Sequence, residues 1–83
     1  MTVTDHAARV LFDYLLPEDL EDQILDTFPA VVISHQSEST TVSLVVSAET
    51  ALQLLDETVR EVRTLCAVVG NDGTMVELTQ LED

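Results

Sequence analysis

A single stretch decides the fold: residues 41–70, TVSLVVSAETALQLLDETVREVRTLCAVVG. Its first residues alternate in polarity, with Val42, Leu44 and Val46 on one side, which is typical of a half-buried β-strand. Apolar residues then recur at spacings of four and three, which predicts a long helix with one continuous apolar seam. That seam consists of Ala48, Leu52, Leu55, Val59, Val62, Cys66 and Val69.

Both ends of this helix carry sequence signals. Ser47 suits the N-cap, with Glu49 in the first turn, and Gly70 suits the left-handed position after the last turn. A second interpretation is almost as well supported, because residues 65–69 are also strand-like and a turn signal at residues 70–73 follows them. In that case the helix ends near residues 62–64, and residues 65–69 form a hairpin with residues 75–81. We favour one long helix, and either interpretation ends in a strand at residues 74–81.

The chain before residue 41 predicts two helical segments and one further strand. Thr4 and Asp5 can cap a first helix, whose apolar face holds Ala7, Leu11, Tyr14 and Leu15. Pro17 ends that helix and starts a second one, giving either an αα-hairpin or one kinked helix. The second helix has a stripe of Leu20, Ile24 and Phe28. Residues 30–35 are short and β-branched, and they predict an antiparallel hairpin with residues 41–47.

Together these elements predict a single small α+β domain over residues 1–83. It has two layers, with N-terminal helical segments, an antiparallel β-hairpin, a long helix and a C-terminal strand. A hydrophobic content of 46% is enough for a packed core in spite of the short chain. Cys66 is the single cysteine, so no internal disulfide is expected. With no apolar run near 18 residues and a polar N-terminus, we expect a cytoplasmic protein without a membrane span or secretory signal.

The charge balance is the most unusual feature of the sequence. Sixteen acidic residues stand against three arginines and no lysine, which gives a net charge of −13. Because phosphate groups are bound by cations, this charge disfavours direct contact with nucleic acid or anionic membranes. It indicates either adaptation to a salty, halophilic cytoplasm, where dense carboxylates stay hydrated, or recognition of a basic partner. We favour the first explanation because the acids are spread along the chain.

The sequence predicts no catalytic residues, no cofactor and no metal site. His6 and His35 lack the neighbouring ligands that a metal site or a catalytic dyad requires. Cys66 falls on the apolar seam, where a buried cysteine acts as a small hydrophobic residue. Gly70 and Gly73 are the only glycines, too few for a phosphate-binding loop. We therefore do not expect an enzyme.

Two sets of residues are candidates for binding a protein partner. The acidic set consists of Glu18, Asp19, Glu21, Asp22 and Asp26. Glu18 and Asp19 also suit the positive end of a helix dipole, so we favour a helix start with a solvated outer face as the explanation of this set. The apolar set consists of Leu52, Leu55, Val59 and Val62. Since several helical segments compete for one sheet face, we expect part of this seam to stay uncovered for a second copy or another subunit.

One family resemblance spans roughly residues 7–66. Residues 7–16 followed by Pro17 and Glu18, then residues 42–49 running into the helix at residues 52–65, resemble the small dimerising subunit of the KEOPS tRNA-threonylcarbamoylation complex. The resemblance implies a non-catalytic scaffold that dimerises through its sheet and helices and contacts a kinase-like subunit. The family opens with a strand, where this sequence predicts a helix, and it does not require a strand after the long helix. The asparagine usual in its second helix has no counterpart between Leu54 and Arg60.

We therefore expect a non-catalytic protein–protein interaction or adaptor module that associates with itself or binds a larger partner. An acidic inhibitor or nucleic-acid mimic that blocks a basic groove is one alternative. A scaffold subunit of a KEOPS-like tRNA-modification complex is the other.

Overall fold

A computed structural model describes residues 3–81 of the chain. In chain order its elements are β1 (Thr4–Phe12), α1 (Glu18–Thr27), β2 (Val32–His35), β3 (Thr40–Ala48), α2 (Ala51–Val69) and β4 (Thr74–Gln80). The strands form one antiparallel sheet in the order β2-β3-β1-β4. The predicted α+β class, with a hairpin, a long helix and a C-terminal strand, is confirmed.

The core lies between one face of the sheet and the two helices. Alternate residues of the central strands are buried on this face, among them Val10 and Phe12 of β1 and Leu44 of β3. Ile24 of α1 and Leu65 of α2 join the same apolar cluster. Both helices therefore cover the same face, and the opposite face carries exposed residues from the same strands.

The predicted first helix is wrong, because residues 4–12 form β1. The residues at helical spacing, Ala7 and Leu11, lie on the outer face of the sheet and are only half-buried. The core instead takes every second residue, and β1 pairs along its length with β3 and over most of it with β4. Pairing on both sides decides the structure here, so neither an αα-hairpin nor a kinked helix forms.

The second predicted helix and the hairpin after it are confirmed. Pro17 precedes α1, and its carbonyl oxygen accepts hydrogen bonds from the backbone N–H groups of Leu20 and Glu21, both at 3.1 Å. The β2–β3 turn is closed by the N–H of Gln36, which donates to the carbonyl of Ser39 at 2.9 Å.

The single long helix is confirmed, and the alternative hairpin at residues 65–69 is wrong. Residues 65–69 form the last part of α2, and Leu65 and Val69, one helical turn apart, are both buried in the core. Gly70 ends the helix with φ of 80°, in the left-handed region as predicted.

The predicted start of α2 is wrong by one turn. Thr50 is the N-cap and accepts a hydrogen bond from the N–H of Gln53 at 3.1 Å, and Glu49 precedes the helix. Ser47 belongs to β3, where its hydroxyl donates to Asp5 at 2.5 Å. The cause is the length of β3, which continues through Ala48 because Ala48 pairs with Thr4 of β1.

The last strand depends on a close approach at Gly73. A Cβ atom there would lie 2.6 Å from Val10 Cγ1 and 2.8 Å from the Phe12 ring, so only glycine lets the chain enter β4 without displacing the core. The register between β1 and β4 shifts beside Arg9, leaving Val76 without a partner in β1. No helix within residues 3–81 is long and apolar enough to cross a membrane.

Candidate protein-interaction surface

The predicted apolar seam of α2 divides between the core and the surface. Val69 is buried and Val62 and Cys66 are half-buried, whereas Leu52, Leu55 and Val59 are exposed. The reason is the rotation of the helix, which turns Thr58 and Leu65 towards the sheet. The exposed part of the seam contains three of the four apolar candidate residues.

This exposed part of α2 faces an uncovered part of the sheet. α2 packs on the sheet through Leu65 and Val69, and every residue of β4 is exposed. Because Met75 pairs with Val10 and Leu78 pairs with Ala8, both β4 side chains lie on the helix-covered face of the sheet. Between them and α2 is an open groove of about 310 Å³. It is lined by Leu55, Thr58, Val59, Val62, Arg63, Met75 and Leu78.

The groove runs beside a free strand edge. β4 pairs with β1 on one side, and on its other side it has no partner strand among residues 3–81. Such an edge presents a row of backbone N–H and C=O groups that can pair with another strand. We call the groove together with this edge the α2–β4 surface.

The acidic candidate residues lie apart from the α2–β4 surface. Glu18, Asp19, Asp22 and Asp26 are exposed on α1. Glu21 is half-buried, and its Oε1 contacts Nε2 of His35 on β2. A helix of 10 residues is about 15 Å long, so its five acids supply one charge per about 3 Å. Duplex DNA carries one charge per about 1.7 Å.

The two histidines do not meet. His6 pairs with Val46 and His35 pairs with Thr40, so they are six positions apart along β3, or about 20 Å. Within residues 3–81 no group of three His, Cys, Asp or Glu side chains is placed to hold a metal ion. Cys66 accepts a hydrogen bond from the N–H of Gly73 at 3.4 Å, beside an open hollow near the end of α2.

The charge is distributed unevenly over the molecule. α1 carries five acids and no base. α2 carries three acids and two arginines, and β4 carries Glu77 alone, so these two elements together hold a net charge of only −2. On the outer face of the sheet, the hydroxyl of Thr79 donates to Glu77 at 2.6 Å and Arg9 lies 3.1 Å from it. These two contacts lower the pKa of Glu77 below its usual value.

The α2 half of this surface is predictable from the sequence, and the β4 half is not. The alternation at residues 74–81 indicates a strand, but it places Val76 and Leu78 on the same side. The bulge at Val76 breaks that alternation and turns Met75 towards the groove with Leu78, and no local signal in the sequence marks it.

Comparison with known proteins adds no relative, because no family model, no curated protein and no solved structure matches the chain.

Proposed function

We propose that this chain is a non-catalytic protein-interaction module and that the α2–β4 surface is its contact site. The observation that supports this proposal is that an uncovered apolar groove and an unpaired strand edge lie side by side. Leu55, Val59, Met75 and Leu78 form an exposed apolar groove, and the unpaired edge of β4 lies directly beside it.

Each feature is stabilised when a partner covers it. Burial of apolar surface contributes roughly 25 cal/mol per Å², and a strand edge gains backbone hydrogen bonds when a second strand adds to it. Exposed apolar patches in small proteins mark interaction sites for this reason.

The acidic alternative has less support. The acids of α1 complement the positive end of their own helix, and Glu21 is engaged by His35. The remaining row is sparser than duplex phosphates, so it is a poor imitation of a nucleic acid.

The KEOPS-like scaffold is a second candidate, and one observation favours it. The chain opens with a strand, β1, as that family does. The family's asparagine is still absent, and β4 is an addition to the family's order. Co-elution of this chain with a purified kinase-like KEOPS subunit tests this candidate, and separate elution at micromolar concentrations would reject it.

Site-specific photo-crosslinking tests the interaction module. A benzophenone amino acid replaces Leu55 in one variant and Val32 in the other, and both native side chains are 60% exposed. In cells of the natural host, we expect an adduct of one discrete mass at Leu55 and none at Val32, which lies on the outer face of the opposite edge strand. The same adducts at both positions, or none at either, would contradict the proposal.

A further inference from the structure

We infer that the occupant of the α2–β4 surface is a second copy of this chain, with the two β4 strands paired antiparallel across a twofold axis. The inference rests on the proposed function and names the partner. The two sheet edges, the geometry of the groove and the placement of charge support it.

The β4 edge of the sheet is better suited than the β2 edge to pairing with an added strand. β2 has 4 residues and β4 has 7. Short edge strands and nearby charges discourage pairing. On the β2 side, α1 brings Glu21 onto His35, the last residue of that strand. β4 has no covering element among the described residues, so it is the edge open to a second strand.

Pairing of β4 with a second β4 also closes the groove. Antiparallel pairing places the twofold axis perpendicular to the sheet, so the two sheets become one and all helices lie on the same face. The two α2 helices then run antiparallel on either side of the axis. The groove of each copy, lined by Leu55, Val59, Met75 and Leu78, then faces the groove of the other across the axis, so one interface covers both.

The charges favour this arrangement over other ways of joining two copies. The elements at the interface hold −2 of the net charge of −13, and the remaining −11 lies elsewhere in the chain. α1, with five acids, contacts β2 through Glu21 and is therefore carried to the far edge of each sheet. Arg63 lines the groove, so each copy also contributes a positive charge to the interface. Two copies therefore repel least when they meet at this surface.

The size of the surface sets the expected affinity. Stable complexes bury about 800 Å² on each partner, from about 20–30 residues. The exposed side of α2 and the 7 residues of β4 supply fewer residues than that. We therefore expect a dissociation constant in about the micromolar range, and both states should be populated at ordinary working concentrations.

Salt dependence separates a second copy from a basic partner. Two copies of net charge −13 repel each other, and at 1 M salt the screening length falls to about 3 Å. Self-association should therefore strengthen as potassium chloride rises. Binding to a basic partner through the acids would weaken over the same range.

The test is sedimentation equilibrium of the purified full chain at 0.1, 1 and 3 M potassium chloride, with circular dichroism to verify folding in each sample. Val59→Glu is compared with Leu25→Glu, since the native side chains are 42% and 45% exposed on different helices. We expect the wild type and Leu25→Glu to dimerise alike, and Val59→Glu to dimerise at least tenfold more weakly. If Val59→Glu fails to fold, Met75→Glu replaces it.

A cysteine scan identifies the edge that pairs. In a Cys66→Ser background, single cysteines replace Met75, Val76, Glu77 or Leu78, and Val32→Cys serves as the control on β2. Mild oxidation should yield disulfide-linked dimers from one or more β4 positions and none from Val32→Cys. A wild-type monomer at every salt concentration, or a dimer linked through Val32→Cys, would overturn the inference. A monomer that still gives a Leu55 photo-adduct with a different protein overturns the second-copy inference alone, whereas no adduct at all rejects the proposed function too.

Discussion

The two edges of the sheet are finished in different ways. At one edge β2 is short, and α1 places Glu21 against its last residue and four further acids in the solvent nearby. At the other edge β4 is nearly twice as long, all its residues are exposed, and α2 leaves a groove above it. Charge protects the first edge, and apolar surface is left open at the second.

Under the proposed dimerisation, this difference would restrict association of a small acidic domain to one surface. A net charge of −13 opposes almost any contact between copies, and the short β2 edge offers little backbone to pair. At the α2–β4 surface, both the local charge and the strand length favour contact. Under the proposed function, this asymmetry is what would give the protein a single interaction side.

The largest expected effect contrasts the two faces of α2. Leu65 is fully buried against the sheet, so Leu65→Ala should destabilise the domain by about 2–5 kcal/mol. Leu55 is exposed in the groove, so Leu55→Ala should change the monomer's stability by less than about 0.5 kcal/mol. Urea unfolding at protein concentrations that keep the chain monomeric measures both. Equal losses would mean that the groove is filled within one chain, and the contrast between the edges would disappear.

The next effect compares one threonine near each edge. Thr40, paired with His35 of β2, is fully buried. Its hydroxyl donates to the carbonyl of Tyr14 at 3.0 Å and accepts from the N–H of Leu16 at 3.1 Å. Thr40→Val leaves both backbone groups unsatisfied, so we expect a loss of about 1–3 kcal/mol. Thr74→Val, on exposed β4, should change stability by less than about 0.5 kcal/mol. An equal loss of unfolding free energy in Thr74→Val would show that side chains contribute as much to stability at the β4 edge as at the β2 edge.

Local patterns in the sequence predict most of the fold. The stripe of α1, the alternation of β3 and the left-handed glycine after α2 are each decided within one element, and each is confirmed. The error at β1 is different in kind. Its residues satisfy a helical spacing and an alternating one at once, and only pairing with β3 and β4 selects the strand.

The candidate surface is only half predictable for the same reason. The sheet is too small to cover the whole α2 seam, so some of the seam is expected to stay exposed. Which residues are exposed depends on how the helix is rotated about its axis. The contribution of Met75 depends on the unpaired Val76, which is a property of two strands together. The sequence therefore predicts the α2 side of the apolar surface but does not locate the β4 side.

The smallest expected effect concerns the contact that ties β4 to β1. The pKa of Glu77 is lowered by the hydrogen bond from Thr79 and by Arg9. Since the folded-state pKa lies below the unfolded value, this contact stabilises the fold fully above the ordinary glutamate pKa, and the stabilisation is lost as pH falls through the lowered value. Because both side chains of the ion pair are about half exposed, we expect the effect on unfolding to be small.

NMR titration of the Glu77 carboxyl carbon should show a higher pKa in Thr79→Val and in Arg9→Gln than in the wild type. Molar potassium chloride should diminish the Arg9→Gln effect, because salt screens charge, and leave the Thr79→Val effect in place. An unchanged pKa in both variants would mean that the outer face does not hold β4 and that the Gly73 approach and the backbone ladder alone fix this edge.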